Sequence, residues 1–206
     1  MNDRQSAKQL IRLNTVTDVI YGIIIWRFFY FIPKPVTGSF GFRELGPYLS
    51  ENYPLLIIAL IGILVAAIYW IQNNTLTSLL KGTNNVHSAI RLIQLLFLMT
   101  FLYSMKFGID NGSSSLSRAF ESTAAAMMGI LAGLGFLYAS GKNRLILEEV
   151  SKPETWETSI VILAEPLTAI FTLIFINYQW LWEISWLSYP IFKKLMSLLT
   201  VKLKYK

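Results

Sequence analysis

Long runs of apolar residues alternate with short polar stretches along this chain. Each run is close to the roughly 20 residues that an α-helix needs to cross the hydrocarbon core of a bilayer. The stretches between them contain glycine and proline residues typical of turns. The last run also holds Glu183 and Pro190, so a shorter span followed by an interfacial segment is the alternative there. The pattern predicts six transmembrane helices, over residues 8–31, 54–71, 88–105, 119–139, 158–177 and 179–199.

The composition supports this interpretation. Of the 206 residues, 54% are hydrophobic and only 15% are charged, whereas a soluble domain carries about 25% charged residues. The expected fold class is therefore all-α, a polytopic membrane protein whose single domain covers residues 1–206. The sequence has no cysteine and one histidine, so no thiolate or histidine cluster is available for a metal site.

The net charge of +6 does not indicate a nucleic-acid partner, because the cations flank the apolar runs and form no separate basic domain. Their distribution predicts topology instead. Of the 18 lysines and arginines, 13 lie in or beside the N-terminus, the second-to-third and fourth-to-fifth connections and the C-terminus. We therefore expect a multi-pass protein of the cell (inner) membrane with both termini in the cytoplasm.

Polar residues occupy the first turns of the first predicted helix, in the stretch RLNTVTD at 12–18. Burying a charge in lipid is costly, so such residues usually face a partner or a water path. Arg12 and Asp18 lie about 120° apart around a helix, so each needs a partner from elsewhere. A buried polar knot that fixes packing and a network beside a permeation path both remain open. The same helix carries a stripe made of Val16, Val19, Ile20, Ile23, Arg27 and Tyr30.

This stretch resembles the R-x-x-x-F-S-D signature that opens the first helix in the endolysosomal potassium channel family and its bacterial homologues. Arg12 takes the arginine position, Val16 the phenylalanine, Thr17 the serine and Asp18 the aspartate, so that two of the four residues differ. The segment YWIQNN is similar to the family's tryptophan followed by paired histidines or asparagines, and the third helix carries a polar residue in a leucine-rich run. These further positions are Trp70, Asn73, Asn74 and Gln94.

The resemblance implies a potassium-permeable cation channel that lacks a loop-type selectivity filter. Its bacterial members carry one six-helix repeat and assemble as homotetramers, with the first helix lining a pore on the oligomer axis. An isoleucine five residues after the signature aspartate forms a hydrophobic constriction in the family, and here that residue is Ile23. The signature residues are expected to hold the first helix against its neighbours. No cofactor is implied beyond the permeant potassium ion, and the partners are further copies of the chain and the lipid bilayer.

The residues themselves agree with part of this expectation. The chain has no T-V-G-Y-G segment, and a ring of apolar side chains can gate a pore by dewetting. Arg27 lies one turn beyond Ile23 on the same stripe. It either turns aside to pair with Asp110 or Glu121, lowers cation conductance, snorkels to lipid headgroups, or shows that the chain is no cation channel. Glu121 itself is expected to be solvated.

Glu165 and Pro166 lie inside the fifth predicted helix, where proline is expected to kink the chain. Glu165 is a candidate proton relay or the partner of Arg91 in an ion pair. The rival function is a secondary transporter that uses Asp18 and Glu165, and a third alternative is a non-transporting scaffold. No catalytic motif is recognised, so we do not expect an enzyme.

Overall fold

The computed structural model describes residues 3–35, 41–141 and 145–204, and these residues are almost entirely helical. This confirms the all-α prediction. Three short 3-10 turns, Phe29–Phe31, Leu173–Phe175 and Trp186–Ser188, join or extend the α-helices. The α-helices are α1 (Asp3–Phe28), α2 (Phe42–Ser78), α3 (Asn85–Asn111), α4 (Ser115–Ser140), α5 (Lys152–Val161), α6 (Ala164–Thr172), α7 (Gln179–Ser185) and α8 (Tyr189–Lys204).

Side-chain caps define where α3 and α4, the two helices of the central hairpin, each begin. The Asn84 side chain accepts a 3.0 Å hydrogen bond from the backbone N–H of His87 at the start of α3. Ser114 Oγ accepts a 3.1 Å bond from the N–H of Ser117 at the start of α4. Each cap satisfies an N–H group that has no partner inside its helix. Gly112, with φ of 77°, provides the left-handed turn between the two helices.

The helix α4 lies at the centre of the protomer and packs against both α3 and α6. Its buried positions are mostly small, which lets neighbouring backbones approach closely. At Gly129 the approach is closest, because an added Cβ atom would lie 2.7 Å from Cδ of Pro166. Only glycine fits this contact, which presses α4 against the start of α6.

The fifth predicted helix, 158–177, is not continuous. It is divided into α5 and α6 by a turn at residues 162–163, and it starts earlier, at Lys152. Pro166 has no N–H to bond to the carbonyl of Ile162, which weakens the helix at this point. The sixth predicted helix, 179–199, is also interrupted, by the 3-10 turn that precedes α8. The first interruption agrees with the kink expected at Pro166, and the second shows that the last predicted helix is not continuous.

Three parts of the chain, the start of α1 and two connections, meet at one end of the bundle. Leu80 and Ile146 form an isolated antiparallel bridge, and the N–H of Lys81 donates a 2.9 Å bond to the carbonyl of Leu145. Ser6 Oγ donates a 2.8 Å bond to the carbonyl of Thr83. The start of α1, the α2–α3 connection and the α4–α5 connection therefore share one end, as the charge distribution predicts. Lys142, Arg144 and Lys206 lie outside the described residues.

Among the described residues, four helical stretches are long and apolar enough to cross a membrane. The polar first turns of α1 lower its hydropathy, and the α7–α8 segment is interrupted; neither belongs to this group. The expectation of a polytopic membrane protein is thus confirmed for four of the six predicted spans. The four stretches are Leu55–Ser78, Asn85–Asn111, Ser115–Ser140 and Lys152–Phe175.

Candidate functional site

One face of α1 is anchored in the protomer. Tyr21, Ile24 and Phe28 are buried in a core cluster shared with residues of α2, α3 and α4. The ring of Phe28 lies so close to Gly62 that an added Cβ atom there would overlap it. The buried positions follow the spacing of three and four residues expected for one side of a helix. This contact determines which residues of α1 point away from the protomer.

The predicted stripe of α1 lies largely on the face that points away. Ile20 is half-buried and packs against the core cluster, whereas its neighbours along the stripe have few contacts within the protomer. Apolar side chains on such a face of a membrane protein meet either lipid or another protein chain. The exposed fractions are 46% for Val16, 55% for Val19, 51% for Ile23 and 52% for Tyr30.

Two residues of the sequence signature form a direct link between α1 and α2. Asp18 Oδ1 accepts a 2.8 Å hydrogen bond from Trp70 Nε1. Hydrogen bonds to an ionised acceptor are stronger than neutral ones, so this contact joins the two helices near the polar end of α1. Thr17, in contrast, is buried and its hydroxyl donates a 2.8 Å bond to the carbonyl of Leu13 in its own helix.

The other signature residues do not join this pair. Gln94 is buried and its Oε1 accepts a 3.0 Å bond from Arg91 Nη1 within α3. Asn73 is buried and Asn74 is exposed. Arg12 is exposed as well, and within the described part of the chain no hydrogen bond or ion pair engages its side chain. The seven predicted signature residues therefore do not form one network within the protomer. Those that make contacts do so at separate places.

Arg27 is exposed, and its guanidinium carbon lies 5.8 Å from the centre of the Tyr30 ring. Neither Asp110 nor Glu121, the two carboxylates considered as its partners, pairs with Arg27. Asp110 forms an ion pair with Lys106, and Glu121 is buried beside Gly108. The expectation that Glu121 is solvated is wrong, because α3 and α4 pack closely around it. The charge of Arg27 therefore lies on the outward side of α1.

Glu165 lies in the first turn of α6 and is only 6% exposed. The predicted ion pair with Arg91 does not form; among the described residues the only ion pair is that of Lys106 and Asp110. Instead the side-chain amide of Gln72 faces both carboxyl oxygens of Glu165. Burial of a carboxyl group beside a neutral amide is unusual, and sequence reasoning did not assign Gln72 this role.

Two further buried polar contacts were not predicted. Arg118 Nε donates a 2.6 Å bond to the carbonyl of Ile176, and its Nη1 donates to the carbonyl of Ser113 at the same distance. Trp182 Nε1 donates a 2.9 Å bond to Ser122 Oγ, which also lies 2.6 Å from Thr172 Oγ1. The partners are 50 or more residues apart for all but Ser113, so no local pattern identifies them. No group of three or more potential metal ligands occurs among the described residues.

These features define an all-helical membrane protein that keeps one apolar face of its first helix free within the protomer. The chain has the fold of a variant of the potassium channel MtTMEM175, crystallised in complex with a Nanobody-MBP fusion protein; the TM-score is 0.65 over 95% of this chain and 94% of that chain, at 16% identity. This confirms the resemblance at the level of the fold. No protein-family model and no curated protein matches the chain.

Proposed function

We propose that the protein is a potassium-permeable cation channel formed by four copies of the chain, with α1 lining a pore on the four-fold axis. The outward stripe of α1 supports this most directly, since Val16, Val19 and Ile23 are left half-exposed by a protomer whose fold matches that of a potassium channel. Four copies of such a face buried against one another would enclose a narrow apolar passage.

Ile23 is the proposed constriction. Its branched side chain is 51% exposed at the middle of the stripe, and a ring of apolar side chains closes a passage by excluding water. Val19 and Ile20 lie one turn away and extend the apolar wall. Asp18 is directed elsewhere, because its carboxylate bonds to Trp70 of α2. The signature pair therefore orients α1 and does not bind the permeant ion.

Six spans are part of the proposal. The 26 residues of α1 extend about 39 Å at 1.5 Å per residue, which exceeds the roughly 30 Å hydrocarbon core. In its polar first turns, Ser6 donates to the carbonyl of Thr83 in the connection before α3 and Gln9 donates to Ser88 of α3, whereas Arg12 remains exposed. The segments α7 and α8 together form the last span, interrupted at the 3-10 turn. Both termini lie in the cytoplasm, in accordance with the placement of the cations.

Arg27 adds a positive charge one turn beyond the constriction. In the proposed tetramer four such charges would lower the local concentration of cations, and the cation–π contact with Tyr30 offsets only part of that effect. We therefore expect a low unitary conductance for potassium, and an increase when Arg27 is replaced by glutamine.

The rival function, a transporter that uses Asp18 and Glu165 at one site, is disfavoured by the position of α2. Asp18 bonds to Trp70, whereas Glu165 faces Gln72. Residues two positions apart lie about 200° apart around a helix, so the two carboxyl groups contact nearly opposite sides of α2. A single cavity between them would have to pass through this helix.

The deciding experiment combines imaging with flux. Purified protein is imaged to determine its symmetry, and protein reconstituted in vesicles is exposed in turn to potassium, sodium and anion gradients. We expect four-fold particles with α1 at the axis and a passive flux that favours potassium. A protomer-sized particle, or α1 on the outer rim, would overturn the proposal, as would flux coupled to a proton gradient.

A further inference from the structure

A carboxyl group is buried inside the protomer at a place that the proposed pore does not use. Glu165 lies directly after the turn that separates α5 from α6, within the apolar stretch Lys152–Phe175. Its backbone is held there by α4, because Gly129 would bring a Cβ atom within 3.3 Å of Glu165 Cβ and 2.7 Å of Pro166 Cδ. The side chain is 6% exposed, so it is withdrawn from lipid and from water.

The direct polar partner of Glu165 is the side-chain amide of Gln72, on α2. When the amide nitrogen faces the carboxyl group it donates to both oxygens, with a distance of 3.0 Å to Oε2. When the amide oxygen faces it, a proton on Glu165 is needed to make a hydrogen bond, and the amide nitrogen then faces donor groups on its other side. The atom that the amide presents therefore differs between the two charge states of the carboxyl group.

Among the described residues, no cation forms an ion pair with the carboxyl group of Glu165. The groups that interact electrostatically with Glu165 include three tyrosines, Tyr21 of α1, Tyr69 of α2 and Tyr189 of α8. Lys193 of α8 also faces it, but that side chain is exposed and forms no ion pair with it. On the side of α4, Gly129 packs against Cβ of Glu165.

Burying an ionised carboxylate without a counter-ion is unfavourable even after the protein relaxes, and such a group usually takes up a proton instead. We infer that Glu165 and Gln72 form a proton-binding site inside each protomer, in which a neutral carboxylic acid donates its hydrogen bond to the amide oxygen of Gln72. The site links α2 to the break between α5 and α6. It does not depend on the tetramer or on the path of the permeant ion.

Loss of the proton on Glu165 would rearrange the hydrogen bond between Glu165 and Gln72. The carboxylate would then have to accept a hydrogen bond from the amide nitrogen. The amide group of Gln72 would therefore flip, so that its nitrogen and oxygen exchange places. An uncompensated charge would also lie between α2 and α6, and water or the Lys193 ammonium would have to approach it. Deprotonation is therefore expected to weaken the contact between Glu165 of α6 and Gln72 of α2.

Infrared difference spectroscopy of the full protein in lipid tests this inference. A protonated carboxylic acid has a C=O stretch that a carboxylate and an amide lack. We expect this band in the wild type at neutral pH, its loss in E165Q, and its retention in E183Q. Glu183 is the matched control, because it lies at an exposed position and accepts a 3.0 Å bond from Gln179 within α7.

The variant Q72L tests the partner while keeping Glu165. We expect the band to persist and to move to higher frequency, since the bond to the amide oxygen is lost. A wild-type spectrum without a band that depends on Glu165 would overturn the proton site, and an unmoved band in Q72L would overturn the assignment of Gln72. The spectrum requires no ion flux, so failure of the channel proposal would leave this result interpretable.

Discussion

The helices α1 and α4 have the same length of 26 residues but opposite relations to the rest of the protomer. In α4, 14 residues are buried, whereas α1 buries six. The buried residues of α4 are mostly alanine, glycine and serine, together with Arg118 and Glu121. The outward stripe of α1, in contrast, carries the large apolar residues Val16, Val19 and Ile23. Small and polar residues are thus buried in α4 while these large apolar side chains remain exposed on α1, the reverse of the usual arrangement in a water-soluble protein.

The physical reason is the solvent. In a bilayer, transfer of an apolar side chain from lipid to the protein interior yields little hydrophobic free energy, so close packing and hydrogen bonds stabilise the bundle. Small residues of α4 permit that packing, and the contacts among Ser122, Thr172 and Trp182 add hydrogen bonds. The outward valines and isoleucines of α1 need no partner in the protomer. They are therefore available to lipid or to further copies of the chain.

The largest expected effect comes from filling the close contact of α4. Gly129→Ala places a methyl group 2.7 Å from Pro166 Cδ and 3.0 Å from its backbone nitrogen, and overpacking of this kind costs roughly 3 kcal/mol. Unfolding in lipid bicelles measures the loss. Gly133→Ala is the matched control on the same helix, because its added methyl group meets only Ile162 at 3.5 Å. Equal stability of the two variants would contradict this account of α4.

The next largest effect on stability is expected for Arg118, the buried arginine of α4. Arg118→Gln leaves the carbonyls of Ile176 and Ser113 without their donors, and each unsatisfied buried group costs about 1–3 kcal/mol. We expect a loss of about 2 kcal/mol in the free energy of unfolding, measured in the same bicelles. Arg43→Gln, at an exposed position, is expected to change it little. A variant of Arg118 that is as stable as the control would show that these bonds are replaced by water.

A change on the outward stripe is expected to alter flux and leave the fold intact. Ile23→Asn wets the proposed constriction, and we predict an increase in passive cation flux of about tenfold, equivalent to about 1.4 kcal/mol, with weaker discrimination between potassium and sodium. Ile57→Asn is the control, since Ile57 is 50% exposed but lies on α2. Unchanged flux in the Ile23 variant, or an equal increase in the control, would remove α1 from the pore.

The smallest effect is expected for the link between α1 and α2. A double-mutant cycle of Asp18→Asn and Trp70→Phe should give a coupling free energy of about 0.6 kcal/mol, the average for hydrogen bonds between membrane helices. Unfolding of the wild type, both single variants and the double variant supplies the four values needed. A coupling of zero would indicate that the 2.8 Å contact adds nothing to the packing of α1.

Local periodicity predicted part of this structure correctly. The helical class follows from runs of about 20 apolar residues, and the outward positions of Val16, Val19 and Ile23 follow from 3.6 residues per turn, because both depend on neighbours in sequence. Breaks in the fifth and sixth helices were less well predicted. Pro166 and Pro190 indicated a disturbance, but each turn begins four residues earlier, at Ile162 and at Trp186, because proline has no N–H to bond to the carbonyl at that position.

The sequence by itself determined that the chain is a helical membrane protein, which end of the bundle holds most connecting cations, and which face of α1 is apolar. Only the tertiary structure decided that Glu165 meets Gln72 and not Arg91, that Glu121 is buried, and that Arg118 binds the distant carbonyl of Ile176. Hydropathy and helical period are properties of adjacent residues, whereas these partners are selected by how the helices pack, and one close contact such as Gly129 with Pro166 determines which side chains can meet.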